Sequence, residues 1–473
     1  MKIVLSGLLL GAASTALGAQ QLSPSVRAFV SVDAPVTAIT HVRIIDGTGA
    51  PPKGDQSIVF TRGRITALGD ASSVVVPADA KVIDGTSKTV MPGFVLVHEH
   101  MFYPSGTNPV YSEHAISFPK LYLGGGITTA RTGGSMSPYA DLNIKRWIDA
   151  GTLAGPKLDV TGPYLSGPGA GVVQFHELAD AADARRTVNY WADLGTTSFK
   201  AYMHITRDEL RGAVEEAHKR KLKVTGHICS VTFREAAEIG IDNLEHGIVT
   251  ASDFVSGKQP DNCPAAQTQL AVAQMNPATD TTLKSVVRTL VDRKVAVTST
   301  LAVFETFVPG RPATPLRVLD AMTTDARLRY LQNRAATAGA TTSPWTRIFA
   351  NEMAFEKMFA DAGGLLLVGT DPTGYGGVIP GMGSQRAIEL LVEGGFSPIE
   401  AIRVATLNGA TYLGRADRVG SLAVGKDADI LLIAGDPSFR IADIEKLELV
   451  FKDGVGYDSA KLLASGRGMV GSQ

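Results

Sequence analysis

A pair of histidines two residues apart is the first chemical signal in the sequence. His98 and His100 flank Glu99 at the end of an apolar run. Because side chains alternate along a β-strand, the two imidazoles point to one side and Glu99 points to the other. Two neighbouring imidazoles at a strand end could chelate a divalent ion. Taken alone, the motif leaves a second interpretation open, a pair of histidines held by hydrogen bonds.

Three further residues of ligand type follow β-like runs later in the chain. His227 ends Leu-Lys-Val-Thr-Gly-His, His246 ends Asn-Leu-Glu-His, and Asp371 ends Leu-Leu-Leu-Val-Gly-Thr-Asp. A lone histidine is more often structural than liganding. Four histidines and an aspartate at strand ends indicate a metal site, because active sites of α/β barrels lie on the face formed by the carboxyl ends of the strands.

Lys200 ends another run of this kind, Thr-Thr-Ser-Phe-Lys. An ammonium group cannot bind a metal ion. A carbamate formed on the amine with carbon dioxide is anionic and can bridge two cations. An ordinary exposed lysine is the commoner case, but the position of Lys200 at a strand end, facing the same mouth as the histidines, favours the carbamate.

Repeated strands and helices must position these residues, and the sequence shows that pattern from residue 91 onward. Helices begin at capping motifs, such as Thr206-Arg207-Asp208-Glu209 and Ser397-Pro398-Ile399-Glu400. Alternating strands and helices predict a parallel sheet, and eight such units predict an α/β fold with a closed (β/α)8, TIM-like barrel over residues 91–414. The eight β-like runs end near His100, Arg131, Gly162, Lys200, His227, His246, Thr300 and Asp371.

Short β-like runs on both sides of the barrel region predict a smaller unit. We expect residues 20–90 and 415–473 to build one small β-sandwich beside the barrel. The stretch 250–281 has little periodicity and is long for a connection, which favours a functional loop or a flexible insert. The β-like runs outside the barrel are Ala38–Ile45, Ser57–Thr61, Arg64–Leu68, Lys81–Ile83, Val419–Leu422, Asp429–Ile433 and Leu447–Lys452.

Residues 1–19 have the three parts of a secretory signal peptide. A basic Lys2 precedes an apolar stretch and then small residues up to Ala19. The mature protein is therefore expected to be exported, either periplasmic or secreted, with no membrane attachment after signal removal. Cys229 and Cys263 could pair in an oxidising compartment, but two separate unreactive thiols are the favoured interpretation.

Composition narrows the range of partners. Of 473 residues, 44% are hydrophobic, which supports a large core and excludes general disorder. The net charge is −1, without long runs of one sign, which argues against nucleic acid as a partner. A small-molecule or peptide substrate is expected, and a homo-oligomer is left open.

With these motifs in place, the chain resembles the amidohydrolase superfamily of metal-dependent hydrolases, in the branch of imidazolonepropionases and Xaa-Pro dipeptidases. It departs from the family at Leu96 and Thr132, where members usually have aspartate. Neither position is a metal ligand, but the hydrogen bonds that orient the ligands would differ. The matching motifs are Met91-Pro92-Gly93, His98-Glu99-His100, Gly126-Ile127-Thr128-Thr129-Ala130-Arg131, Gly369-Thr370-Asp371, Ala405-Thr406-Leu407-Asn408-Gly409-Ala410 and Gly425-Lys426-Asp427-Ala428-Asp429.

The resemblance implies two divalent metal ions, with zinc the expected metal. A hydroxide between them would attack the substrate carbonyl, and Asp371 would carry its proton to the leaving amine. Contacts with the substrate are expected from Arg131, Tyr164, Tyr202 and His204, with structural roles left open. The implied ligands are His98, His100 and Asp371 for one ion, His227 and His246 for the other, and carbamylated Lys200 as the bridge.

The function expected from this site is hydrolysis of an amide or peptide bond in a dipeptide, an N-acyl amino acid or a similar C-terminal amide. A cyclic amidase, lactonase or deaminase on the same scaffold is the first alternative. Lys200 counts against a deaminase, because deaminases of the superfamily typically lack the bridging lysine. A non-enzymatic barrel homologue is the second alternative, although such a relative would be expected to have lost ligands that this chain retains.

Overall fold

The computed structural model describes residues 21–105, 110–374 and 376–472, so the predicted signal peptide lies outside the described residues. No helix in these ranges is long and apolar enough to cross a bilayer. The strands are β1 (Val30–Val32), β2 (Val36–Ile44), β3 (Lys53–Thr61), β4 (Arg64–Asp70), β5 (Lys81–Asp84), β6 (Thr89–Pro92), β7 (Phe94–Glu99), β8 (Phe102–Ser105), β9 (Val110–Glu113), β10 (Ile127–Thr132), β11 (Lys157–Asp159), β12 (Thr161–Leu165), β13 (Ser198–Ala201), β14 (Lys223–Gly226), β15 (Asn243–Glu245), β16 (Ala296–Ser299), β17 (Leu366–Val368), β18 (Ile430–Ile433), β19 (Leu447–Lys452) and β20 (Val455–Asp458).

Most helices lie between strands of the barrel region. The helices are α1 (Pro24–Arg27), α2 (Ser117–Gly124), α3 (Pro138–Asp149), α4 (Ala181–Leu194), α5 (Arg207–Lys219), α6 (Phe233–Ile239), α7 (Ala265–Gln274), α8 (Thr281–Asp292), α9 (Leu301–Glu305), α10 (Leu316–Leu319), α11 (Thr324–Ala338), α12 (Trp345–Asp361), α13 (Met382–Glu393), α14 (Pro398–Arg403), α15 (Gly409–Tyr412) and α16 (Ser459–Ala464).

The parallel strands of the barrel region follow the predicted order. β7, β10 and β11 form one parallel sheet, and β12 to β17 form a second, each strand pairing with the next. Only Val160 separates β11 from β12, so the third predicted strand is divided in two. The backbone N–H of Asp371, just beyond β17, donates to the carbonyl of His98 at 3.1 Å. The last strand therefore ends beside the first in a TIM-barrel-like arrangement. In the described part of the chain, however, the strand ladders do not join into one closed ring.

Strands from both ends of the chain form a single nine-stranded sheet. Its order is β1-β20-β19-β18-β6-β2-β3-β4, with β5 paired to β2. The antiparallel pair β6–β18 joins the two ends of the chain. Ile39 and Phe60 from the first part and Ile430 and Phe451 from the second share one buried apolar cluster. This burial gives the two distant segments a common core.

One predicted strand is wrong. Val419–Leu422 forms a turn, because Gly420 has a φ of +81° and packs against the backbone of Thr406 and the side chain of Ala410. Glycine adopts this left-handed conformation without the steric cost that a Cβ brings.

The helix starts that were predicted from capping motifs are confirmed. The Thr206 N–H donates to Glu209 Oε2 at 2.8 Å, and the Glu209 N–H donates to Thr206 Oγ1 at 3.2 Å. Ser397 and Glu400 make the same reciprocal pair at the start of α14. These contacts form within four consecutive residues, so sequence alone specifies them.

The stretch 250–281 contains regular structure and is not an irregular loop throughout. It contains a 3-10 turn at Ser252–Phe254 and the helix α7. Cys263 in this stretch forms a disulfide with Cys229, which lies just after β14. The favoured prediction of two separate thiols is therefore wrong. Sequence spacing alone did not reveal that residues 255–264 fold back onto the end of β14.

Candidate metal centre

Side chains at the end of β7 alternate between the two sides of the strand, as predicted. His98 and His100 face Asp371. Glu99 points the other way, where its Oε1 accepts hydrogen bonds from the backbone N–H and the hydroxyl of Thr370, both at 2.9 Å. Burial raises the pKa of Glu99 to about 8, although the hydrogen bonds from Thr370 oppose this shift.

Asp371 lies at the centre of the predicted ligand set. Its Oδ1 is 3.3 Å from His100 Nε2 and 3.9 Å from His98 Nε2, and its Oδ2 is 3.6 Å from His246 Nδ1. One ligand atom from each of His98, His246 and Asp371 lies within 4.8 Å of the others. Burial would raise the pKa of Asp371, but its contacts with His100, His246 and Lys200 hold this pKa well below its usual range. This direction favours the ionised carboxylate, the form that binds a cation.

The imidazole ring of His227 packs against this cluster. Its centroid lies 4.2 Å from that of His246 and 4.7 Å from that of Tyr202. Burial and the charge of Lys200 lower the pKa of His227 to about 3. Burial also lowers the pKa values of His98 and His246 well below their usual range. Neutral imidazoles are the form that binds metal ions.

Lys200 lies inside the cluster with 1% exposure, so it is not an ordinary exposed lysine. Its Nζ contacts Glu245 Oε2 and lies 3.4 Å from His98 Nε2. Burial lowers the pKa of Lys200, and Glu245 partly offsets this effect. The structure thus brings the amine to the predicted ligands, while the carbamate remains a prediction.

Two of the clustered residues have left-handed backbone conformations. The φ of His246 is +70° and that of Asp371 is +48°. Such conformations cost non-glycine residues roughly 1–3 kcal/mol and concentrate at functional sites. At His246 the turn has a direct effect. Glu245 and His246 are neighbours that a regular strand would point to opposite sides, yet both side chains face the cluster.

Hydrogen bonds from neighbouring groups orient the predicted ligands. Thr300 Oγ1 is 2.9 Å from His246 Nδ1, and the hydroxyl of Thr373 donates to Asp371 Oδ1 at 2.7 Å. His100 Nδ1 lies 3.3 Å from the carbonyl of Gly134. Contacts of this kind fix the tautomer and direction of metal-binding side chains.

The donor set suits a divalent metal ion. His246 Nε2 is buried and has no hydrogen-bond partner among the described residues. A buried polar atom without a partner calls for an explanation, and a metal ion is one. Imidazole nitrogens with carboxylate oxygens are typical zinc ligands. The residues therefore fit the predicted metal, and their roles as ligands stay predictions.

Two of the predicted substrate contacts lie beside the cluster. The ring of Tyr164 is 5.8 Å from Lys200 Nζ, and Tyr202 packs on His227. Phe175 packs against both tyrosines, at 4.6 and 5.0 Å between centroids. Tyr164 and Phe175 also line a neighbouring cavity of about 310 Å³. His204 lies half-buried in the segment after β13.

Arg131 is enclosed by other protein groups. It is 1% exposed, and all of its guanidinium nitrogens donate to protein groups beneath the cluster. This position favours the structural role that the sequence left open over a substrate contact. Glu245, which accepts one of these bonds, was missed by sequence reasoning. The available signal was a carboxylate directly before a predicted ligand at the end of a β-like run, Asn-Leu-Glu-His.

Comparison with known proteins agrees with this site and fold. The model of the amidohydrolase family matches residues 89–456. Imidazolonepropionases of Clostridium tetani and Parabacteroides distasonis are each 33% identical, over 125 and 134 residues. These matches cover 24% and 26% of this chain, and the chain spans only 28% and 31% of the length of the two relatives.

Solved structures match over nearly the whole chain. A bottromycin amidohydrolase has a TM-score of 0.69 at 20% identity, over 95% of each chain. A Xaa-Pro dipeptidase with bound methionine in its active site has a TM-score of 0.67 at 19% identity, over 89% of this chain and 100% of that chain. At such identities the likeness establishes the fold alone.

The chain belongs to the amidohydrolase family. The family model covers well over half of the sequence, from the last strand before the barrel to the last strand of the β-rich sheet. This confirms the resemblance predicted from the motifs. It also supports the predicted enzyme class, a metal-dependent hydrolase that acts on C–N bonds.

Proposed function

We propose that this protein is an exported binuclear amidohydrolase that cleaves an amide or peptide bond. The substrate would be a dipeptide, an N-acyl amino acid or a similar C-terminal amide. One observation carries the proposal, namely the convergence of buried imidazoles, the Asp371 carboxylate and Lys200 at the carboxyl ends of parallel strands. Similar proteins include imidazolonepropionases and a Xaa-Pro dipeptidase, which supports C–N bonds as the class of target.

Six residues would hold two divalent ions, with zinc the expected metal. Bound ions of this kind supply Lewis acidity, which polarises a carbonyl and lowers the pKa of water. The parallel strands would form one closed barrel whose mouth carries the site. The six residues are His98, His100, Lys200, His227, His246 and Asp371.

Asp371 would handle the proton in this reaction. Its ionised carboxylate can accept a proton from water and pass it to the leaving amine. The contact with His100 and the hydrogen bond from Thr373 both fall on Oδ1 and hold the carboxylate in a fixed direction. The aromatic rings of Tyr164 and Tyr202 flank the cluster and would exclude water from one side of the substrate.

Two features support export. The first 19 residues have the composition of a secretory signal peptide. The disulfide between Cys229 and Cys263 fits an oxidising compartment, because cytosolic conditions keep thiols reduced.

Replacing the lysine at the centre of the cluster tests the proposal. Lys200→Ala is expected to abolish amide hydrolysis and to lower bound metal toward one equivalent or less, as measured by elemental analysis. Lys452→Ala serves as the control, because Lys452 on β19 is also buried but donates to the carbonyl of Gly155, just before β11, and touches none of the predicted ligands. Retention of activity with two bound equivalents in Lys200→Ala would contradict the proposal.

A substrate screen separates the alternatives. Metal-replete protein is expected to cleave members of a panel of dipeptides and N-acyl amino acids. Cleavage of cyclic amides or lactones alone would favour the other hydrolases of this scaffold. Failure to cleave any amide or ester would favour a non-enzymatic homologue.

A further inference from the structure

A fully buried carboxylate lies directly beneath the candidate metal centre. Glu245 is 0% exposed, and its two oxygens face different partners. Oε1 is 3.1 Å from Arg131 Nη1. Oε2 contacts Lys200 Nζ and lies 3.4 Å from His98 Nδ1. One carboxylate therefore joins a buried arginine to two predicted metal ligands.

Arg131 fixes this carboxylate to the barrel interior. From β10, its guanidinium donates to the carbonyl of Val97 on β7 at 2.8 Å and to the hydroxyls of Ser198 on β13 and Thr225 on β14, at 2.8 and 2.9 Å. With Glu245 on β15, the guanidinium connects five strands. A planar group with several fixed donors suits this purpose better than a lysine would.

The contact with His98 involves the ring nitrogen on the far side from Asp371. Nε2 of His98 faces Asp371 and Lys200, whereas Nδ1 faces Glu245. A histidine that binds metal through one nitrogen is commonly oriented by a carboxylate at the other. The two atoms form no hydrogen bond, and His98 Nδ1 has no such partner among the described residues, so Glu245 acts on His98 through its charge at 3.4 Å, which favours the tautomer protonated at Nδ1.

The contact with Lys200 remains possible after carbamate formation. The neutral amine would add to carbon dioxide, forming an N–C bond and releasing one proton. The resulting carbamate nitrogen keeps one N–H, which can still donate to Glu245 Oε2. Glu245 would then set the direction in which the carbamate oxygens point.

We propose that Glu245 is a positioning residue that orients His98 and Lys200, with Arg131 as its support. The inference rests on the proposed function, since it takes these two residues as metal ligands. It gives Arg131 a role in the site other than the substrate contact expected from the sequence.

Zinc affinity measured on the purified full chain tests this role without relying on turnover. Glu245→Gln keeps the shape of the side chain but removes its charge and one acceptor. Loss of such an orienting carboxylate typically weakens metal binding about 10–100-fold. We expect this loss in a competition titration with a zinc chelator, with an unchanged far-ultraviolet circular dichroism spectrum.

A second variant and a matched control complete the experiment. Glu245→Asp keeps the charge but shortens the reach, and it too is expected to weaken zinc binding at least tenfold. Glu209→Gln is the control, because Glu209 is buried in the capping box of α5, a motif that glutamine also satisfies. Zinc affinity within twofold of wild type in both Glu245 variants would overturn the inference, as would an equal loss in the control.

Failure of this inference and failure of the proposed function give different results. Zinc binding that depends on Glu245 in a protein that cleaves no amide would support the positioning role and refute the function. Amide hydrolysis by the wild-type protein, together with a zinc affinity that the Glu245 variants leave unchanged, would support the function and overturn the positioning role.

Discussion

Reduction of the Cys229–Cys263 disulfide is expected to destabilise the protein by about 4 kcal/mol. The two cysteines are 34 residues apart, so the bond closes a long loop in the unfolded chain. The chain-entropy relation states that this bond removes about 13 cal/mol/K of conformational entropy from the unfolded chain, which stabilises the fold by about 4 kcal/mol at 25 °C. Unfolding entropy near 2.1 cal/mol/K per residue, summed over a chain of 473 residues, converts this into a fall in Tm of about 4 °C.

Other contacts hold the same segment, so reduction is expected to leave the fold intact below the Tm. Lys258 Nζ donates to the carbonyl of Ser230 at 2.6 Å, and Asp261 pairs with Arg207 at 3.1 Å. The effect should therefore appear in the unfolding transition and not in the circular dichroism spectrum at room temperature.

Thermal unfolding with and without a phosphine reductant measures the effect, and a thiol titration reports whether the bond has opened. The double variant Cys229→Ser with Cys263→Ser is the control, since its Tm should not respond to the reductant. An unchanged Tm in wild-type protein that titrates two free thiols would refute the entropic reasoning.

Two further changes test the packing around the candidate site. Gly247→Ala should lower the urea midpoint of unfolding, because Gly247 has a φ of +54° and an added Cβ would lie 1.4 Å from Glu352 Oε1. Gly257→Ala is the control, because Gly257 also has a positive φ but has open space around it, and its urea midpoint should fall less. Equal falls in the two variants would contradict this reasoning. Burial raises the pKa of Glu356 from 4.5 to about 7, so the fold favours its protonated form and loses that stabilisation as pH rises from 4.5 through 7. Glu356→Gln should therefore flatten the decline of the urea midpoint between pH 5 and 8, and parallel curves for the two proteins would contradict the shift.

Local rules were sufficient for much of the site. Strand alternation correctly separated His98 and His100 from Glu99. The expectation that ligands lie at the carboxyl ends of the parallel strands correctly placed His246 and Asp371 close together, although they are 125 residues apart in the sequence. These predictions succeeded because each needs only the type of element and the position of a residue at its end.

Predictions failed where long-range pairing decides the outcome. The guanidinium of Arg131 is satisfied by groups between 34 and 114 residues away, so nothing near it in the sequence indicated its burial. The pairing of Cys229 with Cys263 depends on where residues 255–264 fold back. The turn at Gly420 depends on its packing against Thr406 and Ala410.

The two left-handed residues explain how the ligand set is completed where strand alternation does not suffice. A regular continuation of β15 would direct His246 away from Glu245, and Asp371 lies three residues beyond the end of β17. Each conformation is held by a hydrogen bond just after the strained residue. The Ile248 N–H donates to Glu352 at 2.7 Å, and the Thr373 N–H donates to the carbonyl of Asp371 at 2.7 Å. Strain that surrounding contacts maintain in this way is typical of functional sites. The backbone after β15 and β17 thus brings His246 and Asp371 into the side-chain cluster, and Glu352 supports the first of these turns from a helix that holds none of the predicted ligands.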